Sequence, residues 1–133
     1  MSPLRRGEHR VTVDGAHRRV QDAGAPAVLL DVREQDEWDA GHAPGAVHTP
    51  LSRLAAGAAL PDAARERALV VICRSGTRSR QAAELLAGGD TGRGAGRGAG
   101  RGAGPVDVVG GMKAWAAAGL PVVDAHGNPG SIA

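Results

Sequence analysis

Residues 68–86 read ALVVICRSGTRSRQAAELL, and this stretch decides the fold. The run Ala68 to Ile72 is apolar without alternation, the mark of a strand covered on both faces, as in a parallel sheet. It stops at Cys73 and gives way to a polar loop. A helix is then expected from Thr77 to Ala87. The neighbouring segments repeat this alternation. Ala27 to Val32 is a second buried strand, and residues 34–42, EQDEWDAGH, form a short helical turn ended by Gly41. Ala46-Val47-His48 is a third strand after the Pro44-Gly45 turn, and Val106 to Val109 a fourth. Val11 to Val13 starts a further short strand, and Asp14 caps a weak helix to about Asp22. A helix is expected from Leu51 to Leu60, a helical turn over residues 62–67, and a last helix from Met112 to Ala118, opened by Gly110-Gly111 and closed by Gly119 and Pro121. Short buried strands alternating with helices define an α/β class with right-handed crossovers. Ligands of such sheets sit beyond the carboxyl ends of the strands. Cys73 stands at such an end.

The composition excludes several classes. The 133 residues fit one domain, with 42% hydrophobic and 23% charged residues, the balance of a soluble globular chain. Phe and Tyr are absent and Trp38 and Trp115 are the only aromatics, so base stacking has little to work with and no nucleic-acid partner is expected. No apolar run is long enough for a membrane span, and the start MSPLRRGEHR lacks the apolar core of a signal peptide. The formal charge of +2 includes Arg93, Arg97 and Arg101 of the segment TGRGAGRGAGRGAG (91–104). Without them the remainder is slightly acidic, with no basic face. That segment is expected to be a flexible, solvated insertion, because it has too little apolar surface to order itself.

Cys73 is the only cysteine, which fits a reducing compartment, the cytoplasm. The helix N-terminus after it, with Arg74 and Arg78 nearby, favours thiolate over thiol. Gly76 lets the backbone turn, and Ser75 and Ser79 can donate hydrogen bonds. Backbone N–H groups of the loop can converge on an anion beside the sulfur. A buried structural cysteine is the ordinary alternative after an apolar run, but a core strand does not usually lead into so polar a loop. Asp31 and Arg33 end the buried strand that starts at Ala27; a structural ion-pair role is favoured over substrate contact, and Arg33 has the spacing to pair with Glu37. His42 and His48 read as loop histidines bonded to backbone, with His42 carried as a candidate proton shuttle. Trp38 and Trp115 read as core residues. The histidine and cysteine spacing matches no metal site, and no cofactor is expected.

Four segments occur in an order and spacing that resembles the rhodanese family. They are LLDVREQDEW (29–38), GHAPGAVHTP (41–50), VVICRSGTRSRQAAELL (70–86) and GGMKAWAAAGLPV (110–122). The resemblance implies a rhodanese-like three-layer fold, with a central, mostly parallel sheet flanked by helices. The domain would run over residues 11–123 with the insertion at 91–104, between flexible termini at 1–10 and 124–133. It implies a thiosulfate-type sulfurtransferase in which Cys73 carries a sulfane sulfur as a persulfide. Arg74, Ser75, Gly76, Thr77, Arg78 and Ser79 would form the active-site and anion-binding loop, Arg78 being the partner of the anionic group. Asp31, Arg33 and His42 are supporting candidates. The donor would be a small anionic sulfur compound and the acceptor a thiol, a protein or cyanide, with the chain a monomer. A non-turnover sulfur carrier or redox relay would use the same Cys73. A phosphatase or arsenate reductase on this scaffold is disfavoured, because Arg74 to Thr77 make a loop one residue shorter than phosphate-handling relatives use.

Overall fold

A computed structural model describes residues 10–65, 67–88 and 104–132. The expectations for the N-terminus before residue 10 and for nearly all of the Gly/Arg segment lie outside the described residues. Five parallel strands form one sheet: β1 (Arg10–Val11), β2 (Val28–Asp31), β3 (Val47–His48), β4 (Leu69–Ile72) and β5 (Val106–Val108), in the spatial order β1-β5-β4-β2-β3. The helices are α1 (Val13–Val20), α2 (Gln35–Ala40), α3 (Leu51–Ala55), α4 (Thr77–Gly88) and α5 (Gly111–Ala117), with a 3-10 turn at Asp62–Ala64.

The unbroken apolar runs have the predicted cause. Strand alternation sends Leu30, Val32, Val71 and Cys73 to one face, where they pack with Leu54, Leu60, Ala82 and Leu86 from the α3 and α4 side. It sends Leu29, Val70, Ile72, Val106 and Val108 to the other, against Ala16, Met112 and Trp115 of α1 and α5. The outcome is the three-layer architecture expected.

Several boundaries differ. The first strand is Arg10–Val11, and α1 starts at Val13 because Thr12, not Asp14, caps it: Thr12 Oγ1 accepts from Gly15 N–H at 3.1 Å. The helix expected through Leu60 ends at Ala55. Gly57 takes the left-handed conformation at φ 95°, and its N–H and that of Ala58 return to Leu54 O and Arg53 O. This is the paired closure that glycine makes at helix ends.

The tail expected to be loose makes backbone hydrogen bonds to the domain. Ser131 N–H donates to Ala40 O at 3.0 Å, Ala125 N–H to Asp39 O at 3.1 Å, and Val123 bridges to both His42 and Pro129. Asp124 accepts from the backbone of His126 and Asn128, which lowers its carboxyl pKa. Ile132 packs against the α1/α5 side of the core.

Candidate active site

Cys73 follows β4 in the centre of the sheet and is 1% exposed. The turn after it requires glycine at residue 76. Gly76 sits at φ 109°, where an L side chain is strained, and a Cβ there would stand 3.3 Å from Gly110 N. This turn aims Gly76 N–H at Cys73 Sγ, 3.0 Å away. The thiol donates to Ser79 Oγ at 3.5 Å, and the Ser79 hydroxyl lies 3.2 Å from Gly76 O. The sulfur therefore rests at the start of α4, with a backbone N–H directed at it.

The loop is held from behind by α5. Met112 N–H donates to Cys73 O at 2.7 Å and Lys113 N–H to Arg74 O at 3.0 Å. Gly111, at φ 59°, makes this approach possible: a Cβ there would stand 2.5 Å from Cys73 O and 2.6 Å from Arg74 C. The glycine pair singled out in the sequence thus presses the last helix onto the cysteine loop.

Arg78, the expected anion partner, is held by a carboxylate of the protein. Its Nη1 and Nη2 donate to Glu37 Oε1 and Oε2 at 2.7 and 2.8 Å. Hydrogen bonding to Arg78 is the main cause that lowers the Glu37 carboxyl to about 2, with smaller help from the Glu34 backbone. Glu37 in turn raises the Arg78 pKa, chiefly through the same hydrogen bonds. Ser75 and Thr77 are exposed and Arg74 is half-buried.

The other candidates are not brought to the thiol. Asp31 and Arg33 are fully buried and pair with each other, Arg33 Nη2 lying 2.8 Å from Asp31 Oδ2 and 2.6 Å from Gly41 O. The expected Arg33–Glu37 pair does not form, since Glu37 is taken by Arg78. By alternation Asp31 belongs to the face opposite Cys73. This is the structural ion-pair arrangement, with Arg33 Nη1 left without a hydrogen-bond partner.

His42 Nδ1 contacts Trp38 O at 2.8 Å and His48 Nε2 contacts Arg33 O at 2.7 Å, so both histidines bond to backbone. Trp38 is not a core residue. It is half-buried and stacks on both imidazoles, with centroids 3.6 Å from His42 and 4.6 Å from His48. Trp115 is a core residue, 2% exposed, and its Nε1–H donates to Pro121 O at 2.8 Å. Among the described residues no cluster of His, Cys, Asp or Glu is arranged to hold a metal, and no helix is long and apolar enough to cross a membrane.

Sequence reasoning missed Asp107. It is 3% exposed on β5 and reaches towards Ser79 Oγ, 3.5 Å away, while Arg10 grips its carboxylate. One charge inside an otherwise apolar strand, VDVV, was the available signal.

A single thiol in a glycine-turned loop, at the carboxyl end of a central parallel strand, defines a class of α/β domains built around a cysteine loop. The rhodanese-like domain model matches residues 12–118, and the chain belongs to that family. It is 35% identical over 126 residues to the adenylyltransferase and sulfurtransferase MOCS3 of Mus musculus, a match covering 83% of this chain and 26% of that protein. The chain thus spans about a quarter of the length of that relative. It is 37% identical over 103 residues to thiosulfate sulfurtransferase 16, chloroplastic, of Arabidopsis thaliana, covering 69% of this chain and 76% of that one. The crystal structure of a rhodanese-related protein from Thermoplasma volcanium superposes with a TM-score of 0.62 at 26% identity, covering 86% of this chain and 97% of that one.

Proposed function

We propose that this rhodanese-like domain transfers a sulfane sulfur through a persulfide on Cys73. The Cys73 thiolate attacks the outer sulfur of thiosulfate. The new Cys73 S–S bond forms as the old S–S bond breaks, and its electron pair leaves with sulfite. An acceptor thiolate, or cyanide, then attacks the outer persulfide sulfur and takes it, returning the Cys73 thiolate. No net proton is required when both nucleophiles enter as anions, so the site needs anion stabilisation more than a general base. The observation that carries the reading is the Gly76 N–H directed at the sulfur at 3.0 Å. The persulfide places the reactive atom about 2 Å beyond the buried Sγ. Arg78, held by Glu37, supplies positive charge beside a dianionic donor. The chemistry needs a free thiol, which suits a reducing compartment such as the cytoplasm.

Mass spectrometry after treatment with thiosulfate tests this. The expected result is one added sulfur on the peptide containing Cys73, lost on addition of a thiol or cyanide with release of the persulfide or thiocyanate. No added sulfur overturns the reading. A sulfur that is added and then resists every acceptor replaces turnover with the carrier role.

A further inference from the structure

Asp107 is a buried acid that the sulfur-transfer steps do not use, and its surroundings connect it to the sulfur. The Ser79 hydroxyl has one proton and faces Gly76 O at 3.2 Å, Asp107 Oδ2 at 3.5 Å and Cys73 Sγ at 3.5 Å. While Cys73 is a thiol, its S–H donates to Ser79 Oγ, and the Ser79 proton can go to an oxygen. Once the sulfur is a thiolate or persulfide anion, it has no proton to give and Ser79 must donate to it instead. Asp107 competes for that same proton. Arg10 meets the demand of the carboxylate: its Nε lies 3.3 and 3.1 Å from the two oxygens and its Nη2 2.9 Å from Oδ2. Arg10 also lies against the loop, where a Cβ on Gly76 would be 3.4 Å from Nη2.

We propose that Arg10 and Asp107 are positioning residues for the Cys73 sulfur, acting through the Ser79 hydroxyl. Arg10 occupies Asp107, which frees the Ser79 proton to turn to the sulfur when the sulfur becomes an anion. Without Arg10 the carboxylate is a buried, unpaired charge two hydrogen bonds from the sulfur. It then holds the Ser79 proton and opposes the sulfur anion by like-charge repulsion. The meaning of this for sulfur transfer rests on the function proposed above; the effect on the thiol itself does not.

The test is the second-order rate of Cys73 alkylation by iodoacetamide across pH, alongside sulfur transfer, in the full chain. Arg10→Gln is expected to slow alkylation at neutral pH roughly tenfold. Asp107→Asn leaves it as fast as the parent or faster. The double variant Arg10→Gln/Asp107→Asn regains the parent rate to within about threefold, because the charge that Arg10 compensates is gone. A merely structural role gives the opposite pattern, with the double variant no faster than Arg10→Gln, and overturns the proposal. Arg10→Lys, which keeps the charge, guards against misfolding: it is expected to stay near the parent, and a Lys variant as slow as Gln also overturns it. Alkylation that follows the expected pattern in a chain that takes no sulfur from thiosulfate upholds this proposal and defeats the sulfur-transfer reading alone.

Discussion

Glu37 holds both terminal nitrogens of Arg78, at 2.7 and 2.8 Å, and so ties the first turn of α2 to the first turn of α4 across 41 residues of chain. The paired geometry matches the planar fork of guanidinium to the planar carboxylate. Glu37 is itself fixed, because its side chain accepts from Glu34 N–H at 2.9 Å in a capping box. Arg78 is therefore preset by this pair rather than free to search.

This pair gives acid stability a defined window. The Glu37 carboxyl falls from its ordinary value of 4.5 to about 2, chiefly through the hydrogen bonds from Arg78. A carboxyl lowered by folding contributes stability above its unfolded pKa and loses it as pH falls through the folded one. The parent is expected to exceed Glu37→Gln by about 2 kcal/mol at pH 7, allowing for solvent around Arg78. Urea unfolding between pH 7 and pH 2 should show that margin shrinking below about pH 4.5. A margin constant with pH would assign the stabilisation to packing.

Cys73→Ser is expected to abolish sulfur transfer and leave the fold intact. A serine hydroxyl is a poor nucleophile at neutral pH and forms no persulfide. The side chains are close in size and the site already contains the Ser79 hydroxyl. Transfer assays with circular dichroism melting check both halves. Residual transfer would move the chemistry away from Cys73.

Arg78→Ala should act on two quantities with one cause. It removes a cation from the first turn of the helix that follows Cys73, so the KM for thiosulfate should rise by roughly tenfold, and by less for an uncharged persulfide donor. It also leaves the largely buried Glu37 carboxylate unpaired, costing about 1–3 kcal/mol of stability. Combining Arg78→Ala with Glu37→Gln should recover part of the stability and none of the donor affinity. Equal effects on both donors would restrict Arg78 to shaping the loop.

Gly111→Ala is expected to damage the site through backbone contact alone. Its methyl would meet Cys73 O at 2.5 Å and Arg74 C at 2.6 Å, and its φ of 59° is strained for alanine. The loop peptide or α5 must move, with a loss of about 2 kcal/mol or more. Thermal melting and Cys73 alkylation should both change. Gly119→Ala, also at positive φ but with nothing within 4 Å, isolates the strain term and should leave alkylation at the parent rate.

The sequence by itself determined the elements that depend on local pattern. The unbroken apolar run ending at Ile72 signalled a strand covered on both faces, as Leu69 to Ile72 are, and the change from that run to CRSGTRSR marked the loop and the following helix start. The glycines at 76, 110 and 111 signalled a tight approach, since only glycine enters those conformations cheaply. Boundaries drifted where a short signal decided them, as at Gly57, whose left-handed turn ended α3 five residues before Leu60. The tertiary structure alone decided the partners of the charges. Arg33 had a partner two residues away in Asp31 and another four away in Glu37, and local spacing gave no basis for choosing. Burial of Asp31 and Arg33 together, and the arrival of Arg78 at Glu37, made the choice. Trp38 stands outside the core, stacked on two imidazoles. Asp107 acquired its place beside Ser79 only when β5 paired with β4 and β1 paired with β5, bringing Arg10 to it across 97 residues. Periodicity reports which face of an element is covered, but an ion pair is set by which side chains the chain crossings bring within hydrogen-bond reach.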